Sequence, residues 1–228
     1  MTPRFPTKKG QSQTVSTAAP NHLRQNRYGD FQLTDAVRPG PAVPIMPVEG
    51  YRISRYRDAV TGECFPVIGA SVSAEKLFDV FLDLLDPLGD RVNVVLETSH
   101  GAADDFHDDM RRGQIDLPVL QSHFCDFEDL LTNDGCTGVA VMATARKVEV
   151  QMDEHKLIFV FARKLKPFRR ILRKHGVRKI DDLRVIPEAE HFHHSQIRHV
   201  DEFQQLATRL GAADFDTVLS DESDMLGN

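Results

Sequence analysis

Residues 73–98 read SAEKLFDVFLDLLDPLGDRVNVVLET, and this stretch predicts an α-helix followed by a buried β-strand. The apolar residues of the helix recur at helical spacing: Leu77, Phe81, Leu84 and Leu85. Ser73 is suited to cap the helix, and Pro87 ends it because the residue before proline avoids helical geometry. The apolar run at 91–98 then indicates a strand that is covered on both faces.

The same two periodicities, applied outward from this unit, predict the rest of the fold. Strands are expected at 51–56, 64–72, 139–152, 157–162 and 183–186, and helices at 117–131, at 167–176 and after a cap at Asp201. The polar stretch 99–113 predicts a loop. The resulting order, ββαβαββαβα, indicates an α+β fold in which helices cover a mixed β-sheet of about five to six strands.

Both ends of the chain differ from its middle in composition. Residues 1–48 are expected to be a disordered, proline-containing tail, and residues 1–29 carry five basic and no acidic residues. The prolines favour such a tail over an organelle transit peptide. Residues 213–228 carry five acidic and no basic residues and predict a second disordered tail. One α+β domain is therefore expected at 49–212.

Cysteine use and hydropathy bear on the compartment. Cys64, Cys125 and Cys136 are an odd number without a C-x-x-C pair, which does not make a disulfide framework and suits a reducing compartment. No apolar run approaches the ~18 residues of a membrane helix. These features predict a cytoplasmic protein without a transmembrane segment.

The densest charge in the chain is a basic block at 163–179, although the whole chain carries a formal charge of −6. Nine of its seventeen residues are basic and none is acidic: Arg163, Lys164, Lys166, Arg169, Arg170, Arg173, Lys174, Arg178 and Lys179. At helical spacing the arginines and lysines face away from the apolar side. We therefore expect a binding or regulatory module without catalysis, whose basic helix face binds an acidic protein surface or a polyanion.

Other interpretations of the basic block remain open at this point. Its charges are equally compatible with a solvated surface whose partners are the domain's own carboxylates or the acidic C-terminal tail. Self-association through opposite tails is a further alternative. Nucleic acid is not favoured, because the net charge is negative and no nucleic-acid-binding motif is present.

Two histidine-containing stretches support an alternative function, a metal-dependent, hydrolase-like enzyme. His100 and His107 lie among four aspartates at 99–109, and His191 and His193 form an H-x-H pair. In an extended segment the side chains of an H-x-H pair point the same way. These four histidines are the predicted ligands for a divalent transition metal, and the alternative is a polar loop and a polar strand end.

Two weaker patterns remain. Glu154 and Lys156, with Asp134 upstream, have the spacing of some metal-dependent nucleases, but a hairpin turn explains Glu154 and Lys156 equally well. Cys136 follows Asp134 closely, and a neighbouring carboxylate argues against a catalytic thiolate. Phosphate-binding loops, zinc-protease motifs and nucleophile elbows are absent from the sequence, which favours the non-enzymatic interpretation.

Overall fold

A computed structural model of the protein describes residues 21–43, 45–59, 61–100 and 108–214. The strands are β1 Arg27–Tyr28, β2 Phe31–Gln32, β3 Val37–Pro39, β4 Gly50–Arg57, β5 Cys64–Ser71, β6 Arg91–Thr98, β7 Asp108–Asp116, β8 Thr137–Ala143, β9 Val148–Met152, β10 Leu157–Ala162, β11 His191–His193 and β12 Ala213–Asp214. The α-helices are α1 Ala74–Leu85, α2 Leu117–Asp126, α3 Glu128–Asn133, α4 Lys166–Lys174 and α5 Ile197–Leu210. Short 3₁₀ turns lie at Asn21–Arg24, Asp86–Leu88 and Ile186–Glu188.

Eight of these strands form the main sheet, in the order β12-β7-β6-β8-β9-β10-β5-β4. Every pairing in this sheet is antiparallel. The α+β class is confirmed. The expected mixture of parallel and antiparallel strands is wrong, because hairpins rather than helical crossovers join most neighbouring strands. The strand count also exceeds the five to six expected, and the element order differs from ββαβαββαβα.

The strand predicted at 139–152 is two strands, β8 and β9, and no strand forms at 183–186, so both predictions are wrong. A further difference is β7, which lies in part where a loop was expected. Residues 108–113 belong to this strand and pair with β6 despite their polar composition. The ladder to β6, which has one register shift between Val92 and Val94, pairs the backbone of β7 whatever its side chains are. Residues 101–107 of the same predicted loop lie outside the described residues.

The core lies between one face of the sheet and the helices. The largest fully buried side chains include Phe81 of α1, Phe124 of α2 and Phe203 of α5. They join the apolar side chains of β5, β6, β8, β9 and β10 in one cluster. The helix predicted at 117–131 is divided at Phe127 into α2 and α3. The last helix begins at Ile197 with Gln196 as its cap, so the expected cap at Asp201 is wrong.

The N-terminal segment departs from the expectation of a disordered tail over 21–43 and 45–48. Tyr28, Phe31, Leu33 and Val37 are buried and form a second apolar cluster with Ile186. The backbone N–H of Gln32 donates to Ser73 Oγ at 3.0 Å, so this side chain anchors the segment instead of capping α1. Pro39 does not prevent pairing, because β3 belongs to a separate two-stranded sheet with β11.

Neither terminus is described to its end. Residues 1–20 of the predicted N-terminal tail and residues 215–228 of the predicted C-terminal tail lie outside the described residues. Ala213 and Asp214 form the edge strand β12 beside β7, at the start of the expected C-terminal tail. Among the helices that the structure describes, none is long and apolar enough to cross a membrane.

Candidate metal centre

The first histidine of the centre, His155, lies in the tight turn between β9 and β10. Asp153 opens this turn, and its Oδ1 accepts hydrogen bonds from the backbone N–H of His155 at 3.0 Å and of Leu157 at 2.8 Å. The other carboxylate oxygen, Oδ2, lies 2.9 Å from Nδ1 of His155. The turn therefore fixes both the backbone and the ring of His155, which is only 8% exposed.

The other two histidines, His191 and His193, lie on β11. This strand pairs with β3, which places His191 opposite Pro39 and His193 opposite Val37. Because alternate side chains of a strand share one side, the two rings point the same way, as the H-x-H pattern predicted. Both lie against the ring of His155, which was not predicted. Nδ1 of His191 lies 2.8 Å from the carbonyl oxygen of Ala189.

The ring of His193 is fixed by a loop from elsewhere in the chain. Its Nδ1 lies 2.6 Å from the carbonyl oxygen of Gly135. Gly135 is itself pressed against β3 and β11, and a Cβ built there would lie 2.2 Å from Ala36 O and 2.8 Å from His194 O. Only glycine permits this approach, so the position of the His193 ring depends on a glycine at residue 135.

The three rings converge on one point. Nε2 of His191 lies 3.2 Å from Nε2 of His155 and 3.2 Å from Nε2 of His193. One ring nitrogen from each histidine lies within 4.8 Å of the other two. In each ring the opposite nitrogen, Nδ1, faces an oxygen acceptor and therefore carries the proton of the neutral imidazole. The lone pairs of the three Nε2 atoms then face one another.

The electrostatic surroundings favour neutral rings at two of the three positions. Burial lowers the pKa of His191 and of His193, and the neighbouring His155 lowers both further. Burial acts in the same direction on His155, but the Asp153 carboxylate outweighs it and raises the pKa of that ring. Metal ligation requires the neutral form, so an ion would displace a proton chiefly from His155.

The neighbouring Lys156 is buried and does not face solvent, as a turn residue would be expected to do. Its Nζ donates to the carbonyl oxygen of Thr137 at 2.6 Å, and its φ of +62° lies in the left-handed region. Burial lowers the pKa of Lys156 to about 8. The carboxylate–lysine pattern thus lies in a structured turn. The residue of this turn that belongs to the histidine cluster is His155, between Glu154 and Lys156.

The structure brings together only part of the predicted ligand set. His191 and His193 are in the cluster, whereas His100 lies apart, with its Nε2 2.8 Å from Asp134 Oδ2. His107 lies outside the described residues. His155 was missed as a ligand because nothing in the sequence shows that the β9–β10 turn meets β11.

The nine basic residues of the block 163–179 are all exposed. Three of them form ion pairs, Arg163 with Glu63, Lys174 with Asp83 and Lys179 with Asp181. For the other six, the described part of the chain contains no ion-pair partner within 4.0 Å. They are Lys164, Lys166, Arg169, Arg170, Arg173 and Arg178. The basic face is thus partly neutralised, and its role as a partner-binding surface stays a prediction.

Comparison with known proteins yields no match to a protein family, to a curated protein or to a solved structure. A functional assignment for this chain therefore depends on the chemistry of its own residues.

Proposed function

We propose that this protein binds one divalent transition-metal ion, with zinc the best fit, through His155, His191 and His193. The observation that carries the proposal is the convergence of three Nε2 atoms whose rings are each fixed from behind. Nitrogen ligands lie about 2.0–2.1 Å from zinc, so two of them in a tetrahedral site are about 3.3 Å apart. The two Nε2 separations of 3.2 Å match this spacing.

The groups behind the rings support the same proposal. Metal-binding histidines usually donate their second ring N–H to a carboxylate or a backbone carbonyl, which fixes the tautomer and orients the lone pair. Here the acceptors are Asp153, the Ala189 carbonyl and the Gly135 carbonyl. These acceptors hold the protons on the three Nδ1 atoms and so leave the three Nε2 lone pairs available to one ion.

A ligand set of three imidazoles favours a catalytic over a purely structural role. Structural zinc sites generally have four protein ligands, whereas catalytic sites have three and leave a position for water. Three neutral ligands keep the full charge of the ion, which lowers the pKa of a bound water toward neutrality. We therefore propose metal-dependent hydrolytic chemistry at this position.

The surroundings of the cluster are suited to that chemistry. His155 also lines a small cavity with the apolar side chains of Phe31, Leu33 and Ile186. An apolar wall lowers the local dielectric constant and strengthens interactions between an ion and polar groups beside it. His193 is only partly buried, which leaves the cluster an edge toward solvent.

The test is metal binding by the untagged, chelator-treated full chain. We expect one equivalent of Zn²⁺ in calorimetric titration of the wild type, and a loss of affinity of at least about 100-fold in His191→Ala and in His193→Ala. His194→Ala is the matched control, because His194 is adjacent on the chain but its ring is outside the cluster. Stoichiometry well below one, or equal binding by all four proteins, contradicts the proposal.

The proposed hydrolytic activity is tested by a separate measurement. Zinc-loaded wild-type protein is expected to hydrolyse an activated ester such as 4-nitrophenyl acetate faster than the metal-free protein and than zinc-treated His191→Ala. Tight metal binding without this difference would leave a metal-binding protein and refute hydrolysis of such esters.

A second proposed function is the binding of an acidic partner by the basic face. The six exposed cations that have no ion-pair partner among the described residues support it, because guanidinium and ammonium groups at a surface bind phosphates and carboxylates. This function uses a different surface from the histidine cluster, so the two proposals can be tested separately.

A further inference from the structure

A second group of reactive side chains lies where β6 ends and β8 begins. The antiparallel register pairs Thr98 with Thr137, so the residues after Thr98 lie beside the residues before Thr137. The backbone N–H of Ser99 donates to the carbonyl oxygen of Cys136 at 2.9 Å and extends this contact. The ladder thereby brings His100 next to Cys136.

The side chains of His100, Asp134 and Cys136 form a compact triad. A ring nitrogen, a carboxylate oxygen and Sγ all lie within 4.8 Å of one another. Nε2 of His100 is 2.8 Å from Asp134 Oδ2, and Sγ of Cys136 lies close to this pair. The sulfur is therefore adjacent to an imidazole whose position is fixed by a carboxylate, the arrangement that activates a nucleophile.

Asp134 is held in place independently of the thiol. Its side chain is fully buried, and Oδ2 accepts a hydrogen bond from Thr137 Oγ1 at 2.6 Å. Oδ1 accepts the backbone N–H of Cys136 at 3.3 Å and lies 3.5 Å from Nδ1 of His199. Burial alone would raise the pKa of Asp134, but hydrogen bonds from His100 and Thr137 hold that pKa well below its usual range.

These contacts change the electrostatic expectation for Cys136. The sequence suggested that the nearby carboxylate would oppose negative charge on the sulfur, but in the structure that carboxylate pairs with His100. Burial would lower the pKa of His100, yet hydrogen bonds to Asp134 and Cys136 outweigh it and raise this pKa to about 9. A cationic imidazole stabilises negative charge on a neighbouring sulfur, the form that attacks electrophiles.

We propose that Cys136, with His100 and Asp134, is a nucleophilic thiol site that reacts with small-molecule disulfides. In this step the Cys136 sulfur gives up its proton and attacks one sulfur of the disulfide R–S–S–R. A bond forms between Cys136 and that sulfur, the original S–S bond breaks, and the released thiolate RS⁻ takes up a proton. The disulfide is the oxidant, and no further co-reactant is needed.

The other two cysteines provide an internal control. Cys64 and Cys125 are exposed, whereas Cys136 is half-buried. If accessibility alone decided reactivity, Cys136 would react more slowly than either of them. An activated thiol reverses that order, so the ranking of three rates within one wild-type protein tests the proposal without a mutation.

The experiment uses the full chain, treated with EDTA, and 2,2′-dithiodipyridine as the disulfide, with each cysteine followed by peptide mass spectrometry. We expect Cys136 to react about 10-fold faster than Cys64 and Cys125. His100→Gln should lower the Cys136 rate to that of the exposed thiols. His123→Gln, which removes a histidine near Cys125 in the chain, should leave all three rates unchanged.

Three outcomes overturn the inference. The first is a Cys136 rate equal to or below those of the exposed thiols in wild-type protein, and the second is an unchanged Cys136 rate in folded His100→Gln. The third is protection of Cys136 by zinc in the His191→Ala variant, which would make the triad a metal site. Because the first two outcomes are measured without metal, failure of the proposed histidine centre would not affect them.

Discussion

The histidine cluster and the basic face of α4 both concentrate nitrogen-bearing side chains, but they do so in opposite ways. At His155, His191 and His193 the rings converge, are largely buried, and each has an oxygen acceptor behind it. On α4 and its flanks the cationic side chains are exposed to solvent. The first arrangement defines one point in space, whereas the second defines a broad field of charge.

This difference separates two kinds of recognition. Fixed, convergent ligands select a small ion by distance and angle. Because the ligands are already in place, little conformational entropy is lost when the ion binds. Exposed, mobile cations attract any polyanion and are weakened by salt. The predictions that follow perturb one region at a time, so each shows whether the two regions act independently.

The largest effect is expected from Gly135→Ala. The new methyl group would overlap the carbonyl oxygen of Ala36, so the 134–137 loop must move away from β3 and β11. We expect a loss of about 3 kcal/mol in the free energy of unfolding and a weaker zinc affinity, since the acceptor for His193 moves with the loop. Urea denaturation and zinc titration measure the two effects.

Gly113→Ala provides the control for that substitution. A Cβ there would lie 3.5 Å from Asn93 Oδ1, an ordinary contact, and residue 113 is exposed on β7. We expect a change of less than about 1 kcal/mol. Equal stability of the two alanine variants would mean that the loop does not need its close approach to β3.

The next effect concerns the carboxylate behind His155. Asp153→Asn weakens the hydrogen bond that orients the ring, and we expect zinc affinity to fall by about 10- to 100-fold. Glu154→Gln removes the same charge from the same turn and should reduce affinity far less. A competition titration against a chelating dye distinguishes them, and equal losses would mean that charge alone matters.

A smaller effect is expected from pH, through the pair His100 and Asp134. The pKa of His100 is raised from 6.5 to about 9 on folding, so its stabilisation is complete below pH 6.5 and is lost as pH rises through 9. Asp134 has a lowered pKa, so its stabilisation is present above pH 3.8 and is lost as pH falls further. The contribution of this pair to stability should therefore be greatest between about pH 4 and 6.5.

The measurement is the free energy of unfolding at pH 6.5 and at pH 9. We expect wild-type protein to lose about 2 kcal/mol more than His100→Gln over this interval. Parallel losses in both proteins would show that this pair does not link stability to pH. The exposed pairs near α4, such as Arg163 with Glu63, should respond to salt instead.

The smallest effect on stability is expected on the basic face. Arg170→Glu with Arg173→Glu should change the free energy of unfolding by less than about 0.5 kcal/mol, because both residues are exposed. Retention on heparin at low salt should nevertheless fall. Arg163→Glu with Lys179→Glu, which alters two internally paired cations, should reduce retention less. Unchanged retention in the first variant would end the case for a polyanion-binding face.

Local periodicity was sufficient to predict the elements that carry strong apolar patterns. The helix after Ser73, the strand at 91–98 and the basic helix α4 lie where the sequence indicated. The apolar stripe of each such element follows from burial on one side, which is visible in the sequence without knowledge of its partner. The strand β7 was missed because its polar side chains do not reflect the backbone pairing that defines it.

The candidate centre could be predicted only in part, because its ligands come from segments that are distant in the chain. The shared direction of His191 and His193 follows from strand geometry and was predicted. The meeting of His155 with β11 depends on β3, which lies in a segment whose prolines and basic residues indicated disorder. A single sequence offers no signal for such pairing.

The pairing of β3 with β11 helps to decide how long residues 21–39 stay packed against the rest of the fold. Each of the two strands has three residues, so this pairing alone is weak and opens often. A cation held by His155, His191 and His193 would fix β11 to the β9–β10 turn, and so would stabilise the strand with which β3 pairs. Removal of the ion by a chelator should therefore hasten protease cleavage within 21–39, far from the ligands in sequence, and limited proteolysis with and without zinc measures this effect.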